Sequence, residues 1–154
     1  MKKLFFCAAA LLAAISFAAC SDDDEPNLPI APGTIAGTWQ ITHEKGYCIY
    51  DDGEESGKET WSDDYPDEDG FYWTRVFDQN GSCVETYYET GKKLGSEHYT
   101  YSISGNVLTL TYSGEDEAEE YEIKKLIESQ LVLVNTYKGE TEVEVNTATY
   151  KRIQ

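Results

Sequence analysis

Histidine is almost missing from this 154-residue sequence: His43 and His98 are the only two. Neither has a companion at ligand spacing, so zinc chemistry has no support. There is no Gly-x-Ser-x-Gly elbow and no phosphate-cradling glycine loop, which removes common signatures of serine hydrolases and nucleotide sites. Acidic pairs are plentiful, but a carboxylate pair carries out chemistry only when a fold sets it in a cleft. The expectation is a protein that is not an enzyme, with no catalytic residue, metal ligand or cofactor. Positive charge is scarce too: 12 Lys and Arg stand against 29 Asp and Glu, a formal net charge of −17. Nucleic acid and anionic headgroups are repelled by such a surface, so no nucleic-acid partner is expected. A cationic ligand, a basic partner or divalent ions stay compatible with it, and plain solubility accounts for it equally well. Helical periodicity longer than about two turns is absent after the first nineteen residues, as is any long apolar run.

What is present begins at the N-terminus. Met1-Lys2-Lys3, the apolar stretch Leu4 to Ile15 and Ser16-Phe17-Ala18-Ala19 follow the order of a secretory signal peptide, residues 1–19. The apolar stretch is shorter than the roughly 20 residues that span a bilayer. Two small residues directly before Cys20 resemble the lipobox of bacterial lipoproteins, with Phe17 where that family usually carries Leu. The resemblance implies diacylglycerol on the Cys20 thiol and the lipid bilayer as a partner. Cysteine arithmetic agrees. Cys7 leaves with the signal, and lipidation of Cys20 leaves the even pair Cys48 and Cys83. Ser21-Asp22-Asp23-Asp24-Glu25 resembles the acidic surface-export signal of Bacteroidota-type lipoproteins, implying an outer-membrane, lipid-anchored, cell-surface location. Pro26, Pro29 and Pro32 then space a tether through residue 33, too poor in apolar residues to fold.

Residues 34–154 suffice for one domain. Tyr, Thr, Val and Trp dominate, broken at short intervals by Gly and Asn, and alternation marks out eight strands. These run over 38–50, 71–77, 82–90, 97–103, 107–112, 121–127, 131–137 and 141–153. The first places Trp39, Ile41, Tyr47 and Ile49 on one face; Asp78-Gln79-Asn80-Gly81 makes a turn between the second and third. Consecutive strands with tight turns form a meander, and a meander of this length buries its edges by closing. The expected fold is all-β: an eight-stranded antiparallel up-and-down barrel after a signal peptide and flexible tether.

Ile35-Ala36-Gly37-Thr38-Trp39 is similar to the Gly-x-Trp signature of lipocalins. Phe77-Asp78-x-x-Gly81, Tyr101-Ser102-Ile103-Ser104-Gly105-Asn106-x-Leu108 and Tyr150-Lys151-Arg152-Ile153 resemble the lipocalin-like domains of Bacteroidota envelope lipoproteins. The resemblance implies that Trp39 closes the barrel base under Arg152. It also implies a small hydrophobic or aromatic ligand at the opposite mouth, bound by a monomer. The inward-facing candidates are Trp73, Arg75, Phe77, Tyr99, Tyr101, Tyr112 and Tyr121. Either these rings line a ligand cavity, or they fill the interior and the protein docks a protein or glycan partner through its outer face. Arg75 either points inward to meet an anion or sits beyond a bulge facing water.

The link from Asp51 to Gly70 holds ten acidic residues against Lys58 alone. It is read as solvated charge over the mouth, with Trp61 and Tyr65 available as a lid. Asp63, Asp64, Asp67, Glu68 and Asp69 could gather calcium, but their spacing fails the helix-loop-helix calcium pattern, with Tyr65 first and Val76 twelfth when Gly70 is the sixth position. Cys48 and Cys83 fall at opposite ends of strands that are not neighbours, which argues against a disulfide unless the register differs.

Overall fold

The computed structural model describes residues 35–51, 53, 56–114 and 118–154. The signal peptide, lipidated Cys20 and tether expected over residues 1–33 lie outside the described residues. Nine strands follow in chain order: β1 Gly37–Asp51, β2 Ser56–Asp64, β3 Phe71–Phe77, β4 Ser82–Glu89, β5 Lys92–Ser104, β6 Val107–Tyr112, β7 Ala118–Leu126, β8 Gln130–Lys138 and β9 Glu142–Arg152. The sheet runs β2-β1-β3-β4-β5-β6-β7-β8-β9, and β9 returns to pair with β1. Eight of the nine strands thus close an antiparallel up-and-down barrel, as expected, and β2 is an addition to it.

That addition corrects the reading of residues 51–70 as one long link. β1 is long enough to carry two successive neighbours on one edge: Gly37–Gln40 pair with β3 and His43–Asp51 pair with β2. Strand β2 reads Ser-Gly-Lys-Glu-Thr-Trp-Ser-Asp-Asp and is largely exposed, so it has no apolar alternation to reveal it. Backbone pairing and two aromatic-over-glycine contacts hold it. Trp61 lies across Gly46, where an added Cβ would come within 2.3 Å of the indole, and Tyr50 lies across Gly57. The other edge of β2 pairs with no described strand.

A bulge between Ile41 and His43 makes the second correction. One extra residue exchanges the faces of a strand. Trp39 and Ile41 point into the core, but beyond the bulge it is Glu44 that faces the interior. Tyr47 and Ile49, expected beside Trp39, point out: Ile49 is 47% exposed, and the Tyr47 ring carries the Lys58 ammonium at 4.5 Å. The turn at Asp78–Gly81 forms as expected. Asp78 Oδ1 accepts from the backbone N–H groups of Asn80 and Ser82, each at 2.8 Å, and Gly81 takes φ +86°.

The half of the barrel nearest Trp39 is filled. Trp39, Ile41, Phe77, Leu108, Leu110, Ile123, Leu131 and Leu133 are all 2% exposed or less, and each such side chain contributes about 1.5–3 kcal/mol over its exposed state. Trp39 Nε1 donates to the Ile35 carbonyl at 2.8 Å. The Arg152 guanidinium lies 4.3 Å from the Trp39 ring centre and donates to the Ala36 carbonyl at 2.7 Å. Cys48 and Cys83 are free thiols: Cys48 sits between Glu59 and Glu144, Cys83 between Phe77 and Tyr99. Burial pushes the Cys83 thiol up to about 12.

Candidate functional site

Above the filled half the interior opens. Strand β3 sends Phe71, Trp73, Arg75 and Phe77 inward, and β4 sends Cys83, Glu85 and Tyr87, because each set follows the two-residue period of a strand. The tight β3–β4 turn then fixes which of them meet. Phe77 pairs with Cys83, Arg75 with Glu85 and Trp73 with Tyr87.

Arg75 and Glu85 form an ion pair with side chains only 9% and 7% exposed, Arg75 Nε donating to Glu85 Oε2. Arg75 Nη2 lies 3.4 Å from the Tyr121 hydroxyl, and the guanidinium carbon is 5.0 Å from the Tyr121 ring centre and 5.6 Å from that of Tyr150. Burial opposes the Arg75 charge, but the facing Tyr150 and Glu85 oxygens outweigh it and hold the guanidinium protonated well above its ordinary range. Nη1 is buried with no hydrogen-bond partner.

Glu85 is also the cross-strand partner of Glu97, an arrangement of like charges that is unfavourable on its own. Tyrosine hydroxyls moderate it. Tyr87 donates to Glu85 Oε1 at 2.6 Å and stands 2.9 Å from Glu97 Oε2, which also accepts from Tyr99 at 2.6 Å. Burial, followed by these carboxylates, raises the Tyr87 and Tyr99 phenols far above their ordinary value, so both stay protonated.

The resulting cavity encloses about 700 Å³, within the usual range for small-molecule sites, about 300–1,000 Å³. Its aromatic wall comprises Phe71, Trp73, Tyr87, Tyr121, Tyr137 and Tyr150. Trp73 is braced from behind by Tyr65, edge-on at 4.8 Å, and its Nε1 lies 3.4 Å from the Tyr150 hydroxyl. The polar part comes from Glu44 on β1, Glu119 and Glu120 on β7, Asn135 and Thr136 on β8, and Glu144 and Asn146 on β9.

Of the seven residues read from sequence as ligand-facing, Trp73, Arg75 and Tyr121 line this cavity. Phe77 and Tyr101 do not: they pack edge to face at 5.1 Å within the filled core. Tyr99 and Tyr112 pair with each other at 5.5 Å outside the lining, with Tyr112 38% exposed. Alternation gives a side chain's face but not its depth along the barrel axis, which is why these four were misplaced. Arg75 points inward, and the group it meets is Glu85. The sequence reading missed Glu85 although the signal was there: counting back from the Asn80-Gly81 turn places Glu85 opposite Arg75.

Two of the acidic residues around β2 are engaged locally. Asp64 Oδ1 accepts from His43 Nδ1 at 2.7 Å, and Asp67 Oδ1 accepts from the N–H groups of Asp69 and Phe71. Among the described residues no group of three or more His, Cys, Asp or Glu is placed to hold a metal ion. Trp61 covers Gly46 and does not reach the cavity lining.

Comparison with known proteins bears on this architecture. Solved structures similar to this chain include a lipocalin-like protein from Bacteroides uniformis, 14% identical with a TM-score of 0.47 over 79% of this chain and 100% of that one. Another is an uncharacterized protein from Bacteroides eggerthii, 11% identical with a TM-score of 0.47 over 76% of this chain and 98% of that one. A third is the bovine lipocalin allergen Bos d 2, 21% identical with a TM-score of 0.44 over 79% of this chain and 75% of that one. No curated protein matches. The sequence pattern of the lipocalin-like domain matches residues 35–133, most of the barrel, and the chain therefore belongs to the lipocalin-like domain family.

Proposed function

We propose that this protein is a surface-anchored lipoprotein whose barrel takes a small hydrophobic or aromatic molecule into the cavity above Arg75. The observation that carries the reading is the cavity itself, about 700 Å³ walled by Trp73, Tyr121 and Tyr150. A cleft of that volume with aromatic side chains along it is of the size that small-molecule sites have. The anchor rests on the sequence alone: the signal-like residues 1–19, Cys20 and the acidic residues after it. Two or three acyl chains at about 0.8 kcal/mol per buried methylene hold a protein stably on a bilayer. The alternative, a filled barrel that docks a protein or glycan partner, draws on the filled half around Trp39, but the open half above it favours the ligand reading.

Native mass spectrometry of protein purified from its own host, before and after gentle organic extraction, tests the function. A bound mass lost on extraction supports it and gives the ligand class. A barrel that is stable, empty and indifferent to added aromatic compounds sinks it. Radiolabelled palmitate incorporated by the wild type and lost in Cys20→Ala tests the anchor.

A further inference from the structure

We infer that the molecule this cavity takes is an organic cation: an aromatic or hydrophobic body carrying a protonated amine or a quaternary ammonium. The inference rests on the cavity reading above and adds the sign of the ligand's charge.

Four carboxylates, Glu44, Glu85, Glu119 and Glu144, face the cavity against one cation, Arg75, whereas Glu120, next to Glu119 on β7, turns its side chain to the other face of the strand. The cation is already committed. It is nine-tenths buried and ion-paired to Glu85, so the pair presents no net charge to the lumen. The other three carboxylates take part in none of the ion pairs found among the described residues. Where they have side-chain partners, those are neutral: Asn146 and Tyr65 on Glu44, Tyr121 on Glu119. Three negative charges therefore converge on a concave space, Glu44 half-buried and Glu119 and Glu144 at its open side, which focuses the field and concentrates cations. The net charge of −17 extends the same attraction outward.

Two further features select for an ammonium group in particular. The rings of Trp73, Tyr121, Tyr137 and Tyr150 line the same cavity as the carboxylates, and the electron-rich face of an aromatic ring attracts a cation. Beside Glu44, Asn146 Oδ1 is buried with no donor, an acceptor that an N–H of the ligand would satisfy. The one cationic donor that an anion would find in the lining is Arg75 Nη1, and there it would stand against the Glu85 carboxylate.

The test is a matched series titrated into the purified full chain at pH 7 and low salt: 1-naphthylmethylamine, 1-naphthylmethanol and 1-naphthoate. Tryptophan fluorescence and calorimetry report the binding. The amine is expected to bind about tenfold or more tightly than the alcohol, as one ion-pair or cation–π contact suffices for that ratio. The naphthoate is expected to bind more weakly than either. Raising the salt should erase most of the amine's advantage, since Coulombic terms are screened. Glu119→Gln/Glu144→Gln should erase it, bringing the amine's affinity down to that of the alcohol for the same variant. If the alcohol binds but the amine binds no tighter, or the naphthoate binds best, the charge inference is overturned and the cavity reading stands. If none of the three binds, the cavity reading fails and takes this inference with it.

Discussion

Replacing Arg75 by Met tests the centre of this structure most directly, because it separates the worth of an ion pair from the cost of breaking one. Arg75 and Glu85 lie side by side with less than a tenth of either side chain exposed. At about 4 Å and an effective dielectric near 20, their attraction is about 4 kcal/mol, and much of it is cancelled by the cost of taking both ions out of water. The single variant removes the attraction but leaves the Glu85 carboxylate buried, with Tyr87 as its donor and Glu97 directly across the strand pair. Arg75→Met should therefore lose about 3–5 kcal/mol of unfolding free energy, as broken buried pairs do. Glu85→Gln should lose about 2–3 kcal/mol, because the amide oxygen still accepts from the guanidinium and from Tyr87. The double variant should lose far less than the sum, about 1–2 kcal/mol, since it removes both charges and leaves a methionine against Tyr121 and Tyr150. Urea unfolding followed by tryptophan fluorescence gives all three values. Additive losses would refute the reasoning: they would mean that water reaches Arg75 and Glu85 independently and that no coupled pair exists.

Three further outcomes follow from geometry already described. Trp39→Ala removes the largest fully buried side chain and should lower stability by about 3–5 kcal/mol, whereas Arg152→Ala should cost about 0.5–2 kcal/mol; thermal unfolding with the order reversed would contradict the placement of Arg152 over the Trp39 ring. Gly46→Ala puts a methyl group 2.3 Å from the Trp61 indole and 2.4 Å from the Val145 carbonyl, and should destabilise by about 1–3 kcal/mol, with a red shift in tryptophan emission as Trp61 is pushed into water. Asp78 is held below its ordinary 3.8 chiefly by the backbone N–H of Ser82 and then that of Asn80. A depressed carboxylate stabilises the fold above its unfolded value and loses that contribution as pH falls through the folded value. Asp78→Asn should therefore be less stable than the wild type above about pH 4, with the difference vanishing in more acid solution; a constant difference across that range would count against the assignment.

The barrel was legible because most of its strands alternate over a few residues and are joined by tight turns. Leu108 and Leu110 alternate with Thr109 and Thr111, and Lys124-Lys125 marks the phase shift that the structure places between Ile123 and Lys125. Strand β1 breaks the rule silently, since Thr42 at its bulge resembles any strand residue and gives no warning that Glu44 replaces Tyr47 as the inward group. Strand β2 leaves no apolar trace because its backbone pairing and the glycines beneath Trp61 and Tyr50 position it. For the site, alternation on β3 puts Trp73 and Arg75 on the inner face, where both line the cavity. It could not tell that Phe77, one step further along the same face, lies below the cavity floor. The carboxylates that set the sign of the field were legible as charge but not as a converging set, because Glu44, Glu119 and Glu144 come from three strands that meet only when β9 closes on β1.

The edge of β2 that pairs with no described strand has a consequence beyond the barrel. An open row of backbone N–H and C=O groups is a template on which another extended chain can assemble, and molecules crowded together risk zipping edge to edge into aggregates. Four of the nine β2 residues, Lys58, Glu59, Asp63 and Asp64, are charged, and a second copy laid along this strand would bring mostly carboxylates against carboxylates. The polarity that conceals β2 from any pattern of apolar residues is also its guard against self-recruitment, so neutralising Glu59, Asp63 and Asp64 together would expose the protein to polymerisation without touching its core.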